Sequence, residues 1–398
     1  MHKKLILFFL FCFLTPSIVC SAEKNIIGDA NNRFAFELYR EFKDEGGNIF
    51  LSPYSALSAL AMACEGARGD TLRQMASVLH LPQNTIFLRV SFLETHKRLN
   101  KNDGSFILST ANALWANKGY PFNESYFELV REYYGGKAET LDFENDASGS
   151  CRAINSWVGD NTAGKIKDIV SEDSVDSSTR MILTNAVYFK GKWAREFDEG
   201  ETKKMDFKAG GGNNVSVDMM SLSGQKFNYA EKPGLQVLEL PYKGGRLSMF
   251  VFLPAEGGMA SFEGSLDDPE FRQIKGMLKR EEVAVLVPRF KFLSKYSLGP
   301  ALTDLGMPDA FLLNKADFSG MTGKKDLFIQ SVLHQAFIEV NEEGTEAAAA
   351  TAVSFAITAT QDEGPVTFYA DHPFVFLIYD NETATILFLG RVNDPGQG

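Results

Sequence analysis

The stretch Glu342-Glu343-Gly344-Thr345-Glu346-Ala347-Ala348-Ala349-Ala350-Thr351-Ala352-Val353-Ser354-Phe355-Ala356-Ile357-Thr358-Ala359-Thr360 decides how the rest of the chain is read. Its alanines favour a helix. Its alternation favours a strand. One face carries Thr345, Ala347, Ala349, Thr351, Val353, Phe355 and Ile357; the other carries Glu346, Ala348, Ala350, Ala352, Ser354 and Ala356. The first face has no charge and gains bulk toward its C-terminal end. A strand with such a face can enter a crowded sheet, because small side chains limit overpacking. Gly344 reaches backbone angles closed to other residues and suits a hinge. Taken alone, the window reads as an Ala-rich surface helix or linker.

The rest of the chain changes that reading. Asn48-Ile49-Phe50-Leu51-Ser52-Pro53-Tyr54-Ser55 is followed by Gly66-Ala67-Arg68-Gly69-Asp70-Thr71. Next come Ile154-Asn155-Ser156-Trp157-Val158, Thr162-Ala163-Gly164-Lys165-Ile166 and Leu183-Thr184-Asn185-Ala186-Val187-Tyr188-Phe189-Lys190-Gly191-Lys192-Trp193. Last are His372-Pro373-Phe374-Val375-Phe376-Leu377-Ile378 and Phe388-Leu389-Gly390-Arg391-Val392. In this order and spacing the segments resemble the serpins, the serine-protease-inhibitor family, over nearly the whole chain. The opening stretch is similar to their hinge and reactive-centre loop. The resemblance implies an α+β fold with one large central β-sheet, two smaller sheets, about nine helices and an exposed reactive-centre loop at about 343–364.

Composition sets the bounds. With 398 residues, 44% of them hydrophobic, and 33 Phe, the chain can build a large core. No Pro/Ser-rich linker divides it, so residues 23–398 read as a single domain. Residues 1–22 read as an export signal: His2-Lys3-Lys4, an apolar run from Leu5 to Leu14, then small residues at Ser21 and Ala22. The run is too short to span a membrane. Cleavage is expected after Cys20, Ser21 or Ala22, giving a secreted protein, extracellular or, in a bacterium, periplasmic. Val19 is bulkier than the residue that precedes a lipid-bearing cysteine, which disfavours an anchor at Cys20. The formal charge of −11 disfavours nucleic acid, heparin-like polyanions and anionic membranes as partners. A monomer is expected. Cys64, in an apolar helical run, reads as a free core thiol; a single disulfide with Cys151 stays open. Sequons at Asn123, Asn214 and Asn381 matter only where the producing cell glycosylates exported proteins.

Along the chain, Ala30–Phe42, Pro53–Glu65 and Cys151–Thr162 have helical spacing. Phe106–Trp115, Met181–Lys190, Val237–Tyr242, Leu247–Leu253, Val283–Phe290 and Ser331–Val340 read as strands, the last leading straight into the hinge. Phe374–Tyr379 and Thr385–Leu389 read as a hairpin. Arg68-Gly69-Asp70 spells an adhesion tripeptide but reads as a turn before a helix start. Signs of catalysis are missing. No histidine pair has metal-ligand spacing, and there is no Cys-x-x-Cys, Gly-x-Ser-x-Gly, phosphate loop or His-Glu-x-x-His. No enzyme, metal or cofactor is expected.

What the resemblance implies about mechanism is suicide inhibition: a protease cleaves the loop, and the loop then inserts into the large sheet. The hinge is Glu342, Glu343, Gly344, Thr345, Glu346, Ala347, Ala348, Ala349 and Ala350. Ser52, Ser55, Asn185 and His334 match the family's polar cluster beneath the sheet, where strands must part; His334 also reads as a satisfied core histidine. Trp193 matches a marker near the loop's point of insertion, or reads as a core aromatic. Arg289 and Glu342 match a latch pair; on a surface it would contribute about 0–1 kcal/mol. The scissile bond is expected between Thr358 and Ala359, with Ile357-Thr358 and Ala359-Thr360 as alternatives. These residues are small or aliphatic, which favours elastase-like or subtilisin-like serine proteases over trypsin-like or chymotrypsin-like ones. A cysteine protease, or a non-inhibitory carrier, storage or chaperone role, stands as the alternative.

Overall fold

Helices form where apolar residues recur at helical spacing, and strands where they alternate or run together. The computed structural model describes residues 25–82, 84–99, 104–345 and 365–397. Among them are ten α-helical segments: α1 (Ile26–Phe42), α2 (Pro53–Gly66), α3 (Gly69–Val78), α4 (Thr85–Leu99), α5 (Glu124–Tyr134), α6 (Ala147–Asn161), α7 (Met259–Ser265), α8 (Asp268–Met277), α9 (Gly299–Asp304) and α10 (Ser319–Thr322). The strands are β1 (Ile49–Leu51), β2 (Phe106–Asn117), β3 (Lys137–Leu141), β4 (Met181–Lys192), β5 (Lys203–Lys208), β6 (Asn214–Lys232), β7 (Leu235–Pro241) and β8 (Leu247–Pro254). After them come β9 (Lys279–Pro288), β10 (Phe290–Ser297), β11 (Ser331–Asn341), β12 (Gly344–Thr345), β13 (Val366–Tyr369), β14 (Phe374–Asp380) and β15 (Thr385–Val392). No helix among the described residues is long and apolar enough to cross a membrane.

The strands build two sheets. Six form a central sheet in the order β10-β11-β12-β4-β2-β3, with β11 also pairing β4. The two smaller sheets expected from the sequence are one continuous network, β1-β15-β14-β8-β7-β6-β9-β13, with β5 on the side of β6. β6 joins its two parts because it is 19 residues long and bends at a register shift between Leu222 and Gln225. Gly224 takes the positive φ of +67° at that bulge.

α2 explains why the central sheet has a dry inner face. Every residue of α2 is buried, and proline sits in its first turn, where a missing N–H costs nothing. Beneath it Leu114, Leu183, Val187 and Phe189 join the main core. The outer face is covered by α6, through Trp115, Ile182, Ile154 and Val158. Trp115 and Trp157 meet edge to face at 5.4 Å. The adhesion tripeptide is absorbed into a helix start: the Arg68 guanidinium donates to the carbonyls of Glu65 and Ala67, and Asp70 pairs with Arg73. Cys64 and Cys151 are both free and buried, and burial pushes the Cys64 thiol up to about 12.

β1 and the β14–β15 hairpin supply the aromatic centre of the core. Phe50 is fully buried and stacks on Phe388 at 5.1 Å and Phe376 at 5.8 Å. Phe50→Ala removes that filling and leaves a cavity, so it should lower stability by about 3–5 kcal/mol, read as a fall in the urea midpoint. An unchanged midpoint would mean the core can collapse around the loss.

Candidate functional site

The site is a seam that is closed at one end and split at the other. β11 runs parallel to β4, pairing Ser331–Phe337 with Ile182–Tyr188. Beyond Phe337 the two strands part. The chain then reverses at Glu342-Glu343, and β12 fills the gap. β12 is antiparallel to both neighbours: Thr345 faces Val340 of β11 and Gly191 of β4. The sequence reading carries β11 straight into an exposed loop. In the structure Glu343 is 7% exposed and Thr345 fully buried, so the first loop residues already belong to the sheet.

Local chemistry fixes this short strand. Gly344 has φ +154°, and a Cβ there would lie 2.1 Å from the Gly191 carbonyl oxygen. Only glycine fits so close an approach of two backbones. The Thr345 and Tyr242 hydroxyls are 2.7 Å apart. Burial pushes the Tyr242 hydroxyl well above its ordinary pKa, so it stays protonated. Tyr242 stacks on Trp193 at 4.6 Å. The Trp193 indole N–H donates to the Asn341 carbonyl at 3.0 Å, and its backbone N–H to the Glu343 carbonyl at 2.8 Å. Trp193 thus braces the chain reversal from both sides.

The Arg289–Glu342 pair differs from the surface contact expected. Arg289 donates through Nε at 2.6 Å to Glu342 Oε1, and the Thr202 hydroxyl donates to the same oxygen. The Glu342 side chain is 3% exposed, whereas Arg289 remains 38% exposed. Removing Arg289 would leave a buried carboxylate whose one remaining side-chain donor among the described residues is the Thr202 hydroxyl, a larger penalty than losing a surface pair. Lys192 Nζ lies 3.2 Å from Glu343 Oε2, adding a second ionic contact at the turn.

Below the split, a polar row crosses the closed part of the seam. Asn112 of β2, Asn185 of β4 and His334 of β11 are in register on neighbouring strands. Asn185 Nδ2 donates to Ser55 Oγ at 2.5 Å and also to Asn112 Oδ1. Ser55 Oγ donates to Asn112 Oδ1 at 2.9 Å. His334 Nδ1 contacts Asn185 Oδ1, while its Nε2 accepts the Ser52 backbone N–H at 3.1 Å. That pair of contacts requires the neutral ring with the proton on Nδ1. Ser52 Oγ donates to the Leu387 carbonyl at 2.8 Å.

A family model described as serpin, serine protease inhibitor, matches residues 29–395. The chain belongs to the serpin family. A serpin-like protein of Thermococcus kodakarensis is 44% identical over 378 residues, covering 94% of this chain and 87% of that one. Leukocyte elastase inhibitor A of Rattus norvegicus is 38% identical over 381 residues, covering 93% and 99%. The structure of human thyroxine-binding globulin complexed with thyroxine superposes with a TM-score of 0.84 at 29% identity, covering 93% of this chain and 98% of that one. The serpin fold is therefore shared here by an inhibitor and by a protein that binds a small molecule.

In this serpin the structure gathers Ser52, Ser55, Asn185 and His334 in one cluster and places Trp193 apart, with the hinge. Asn112 escapes the sequence reading. Its signal is a lone amide on the apolar inner face of an alternating strand, between Phe106 and Leu114. Thr202 and Tyr242 are missed because nothing local distinguishes them from other loop and core residues. Glu346 to Ala350, and Ile357, Thr358, Ala359 and Thr360, lie outside the described residues, as do residues 1–22 with Cys20. Among the described residues no group of three His, Cys, Asp or Glu could hold a metal ion.

Burial lowers His334 from an ordinary 6.5 to about 3. The unfolded chain therefore binds a proton at this position well before the folded chain does. Stability is retained above pH 6.5 and is lost as pH falls toward 3. At pH 5 the loss is about 2 kcal/mol. Urea unfolding at pH 7 and pH 5 should show that His334→Gln loses less stability across the interval than the parent does. Equal losses would mean that His334 does not titrate as the cluster geometry requires.

Proposed function

We propose that this serpin is a suicide-substrate inhibitor of serine endopeptidases. The observation that carries the reading is β12: Gly344 and Thr345 are seated between β4 and β11, and the sequence beyond them keeps its inward face uncharged, and small as far as Thr351. The protease serine attacks the Thr358 carbonyl, the Thr358–Ala359 bond breaks, and the Ala359 amine leaves with a proton. An ester to Thr358 remains. Insertion of Glu346 onward then lengthens β12 down the seam and carries the acylated protease with it. One inhibitor molecule is consumed per protease, so the protein is bait and not an enzyme.

Within this reading each element has a role. The Arg289–Glu342 latch and the Trp193–Tyr242 stack hold the turn from which insertion starts. Ser52, Ser55, Asn112, Asn185 and His334 form the gate, where hydroxyls and amides exchange partners as β4 and β11 separate. The small and aliphatic residues around the bond favour an elastase-like or subtilisin-like target, and the likeness to leukocyte elastase inhibitor A supports that choice. The leader at residues 1–22 favours action outside the cell. A carrier role is the second reading, supported by the likeness to thyroxine-binding globulin.

Incubation with pancreatic elastase or subtilisin should give a covalent adduct that survives boiling in detergent. Mass spectrometry of the adduct should place the cut after Thr358. Loop cleavage without an adduct would favour the carrier reading.

Thr345→Arg puts a long cation where Thr345 is fully buried. The hinge should then leave the sheet, and the variant should be cleaved as a substrate with the fold intact. Trapping at the parent's stoichiometry would defeat the insertion mechanism.

A further inference from the structure

α2, α3 and α4 leave a cavity of about 680 Å³ between them. α2 contributes Cys64, α3 contributes Leu72 and Ala76, and the chain running into α4 contributes Leu81 and Leu88. His80 takes the left-handed φ of +51° just beyond α3, which turns the chain toward α4. The volume and the apolar walls suit a small ligand. The cavity adjoins the C-terminal end of α2, whereas the gate residues Ser52 and Ser55 lie at its N-terminal end.

Three charged side chains line this cavity: Glu65, Arg68 and Arg73. Two of them are already matched. The Glu65 carboxylate accepts from Arg89 Nε at 2.9 Å and Nη2 at 2.8 Å, and from the Tyr134 hydroxyl at 2.7 Å. Arg73 pairs with Asp70. Arg68 is different. Its Nη1 donates to the uncharged carbonyls of Glu65 at 3.0 Å and Ala67 at 2.7 Å. No carboxylate among the described residues pairs with its guanidinium, and Nε and Nη2 have no acceptor there. Asp317, whose carbonyl accepts the Arg68 backbone N–H at 2.8 Å, gives its carboxylate to Lys325 and Ser319 instead. Gly320 fixes the plane of the group: a Cβ there would lie 2.5 to 2.6 Å from Nη2, Cζ and Nη1, so only glycine lets the guanidinium lie flat against the backbone. In a chain with 51 Asp and Glu against 40 Lys and Arg, a held cation without an acidic partner marks a place for an outside anion.

We propose that this cavity binds an unbranched aliphatic carboxylate, the anion of a fatty acid. The hydrocarbon lies against Leu72, Ala76, Leu81 and Leu88, and the carboxylate accepts from Nε and Nη2 of Arg68, the planar fork that matches two carboxylate oxygens. Glu65, neutralised by Arg89, does not repel it. The proposal is independent of protease inhibition.

The test is isothermal titration calorimetry of the full chain with decanoate and with decylammonium, both below micelle formation. Decanoate should bind, and decylammonium should bind at least about tenfold more weakly, as the charge-assisted contact is worth. Arg68→Met should bring decanoate down to the level of decylammonium, and Arg68→Lys should restore part of the preference. Arg68→Met also removes two hydrogen bonds at the end of α2, so Ala76→Phe supplies a variant that leaves Arg68 in place. The phenyl ring fills the cavity from a half-buried position, and decanoate binding should be lost while the urea midpoint holds. The proposal is overturned if the parent binds neither ligand, or binds both equally, which would reduce the site to an unselective apolar hole. It is also overturned if Ala76→Phe binds decanoate as the parent does, which would place the ligand elsewhere.

Discussion

The parallel pairing of β11 with β4 is the contact on which the rest of this serpin depends. It joins the two halves of the central sheet over Ser331–Phe337 and Ile182–Tyr188 and stops where β12 begins. Several elements meet at this seam. α2 presses on it from the inner side, α6 covers the outer face, and the Asn112–Asn185–His334 row crosses it. A sheet with such a joint is neither finished nor loose. Its split end holds the two residues of β12, and its closed end is crossed by the polar row.

If the sheet opens as proposed, there is a physical reason for the row to be polar. An apolar plug at His334 would pack well but would resist sliding, because close-packed side chains must all move together. Hydroxyls and amides offer several donors and acceptors and can exchange partners within one cluster. That freedom has a cost. Each polar group is buried, and a partner lost without replacement leaves a desolvated donor or acceptor. Under the proposed insertion the row would be stable while intact and costly half-open, as a kinetic barrier requires.

Much of this was legible in the chain itself. Strands such as Met181–Lys192 and the β14–β15 hairpin are long apolar runs bounded by turns, and these can be read locally. Ser52, Ser55, Asn185 and His334 could be named because they sit in segments that resemble a known family. Their hydrogen-bond pattern could not, since it depends on strand register across residues 57 to 282 positions apart. Asn112 was lost for that reason, and so was the burial of Glu342, which follows from Thr202 and Arg289 arriving from distant loops. The reversal at Glu342-Glu343 was also invisible. Alternation marks β11 and the hinge as strands, but it does not say whether the chain runs on between them or turns back.

Under the proposed mechanism the direction of that turn would supply a local driving force. Separating β11 from β4 breaks one parallel ladder. An inserted continuation of β12 would replace it with two ladders, both antiparallel, as Gly344 and Thr345 already show. Antiparallel pairing is slightly more stable per residue than parallel pairing. Each residue that enters would therefore trade one weaker set of backbone hydrogen bonds for two stronger ones. Against this stands the ordering of the same residue, about 1–2 kcal/mol. Ten ladder bonds at about 0.5–1.5 kcal/mol each contribute about 5–15 kcal/mol, against about 10–20 kcal/mol for ordering ten residues. The surplus must then come from side chains and from relaxation elsewhere in the fold. The inward positions from Thr345 to Thr351 are small and uncharged, so the first steps of insertion would meet neither overpacking nor a buried charge, while Val353, Phe355 and Ile357 would add apolar burial further along.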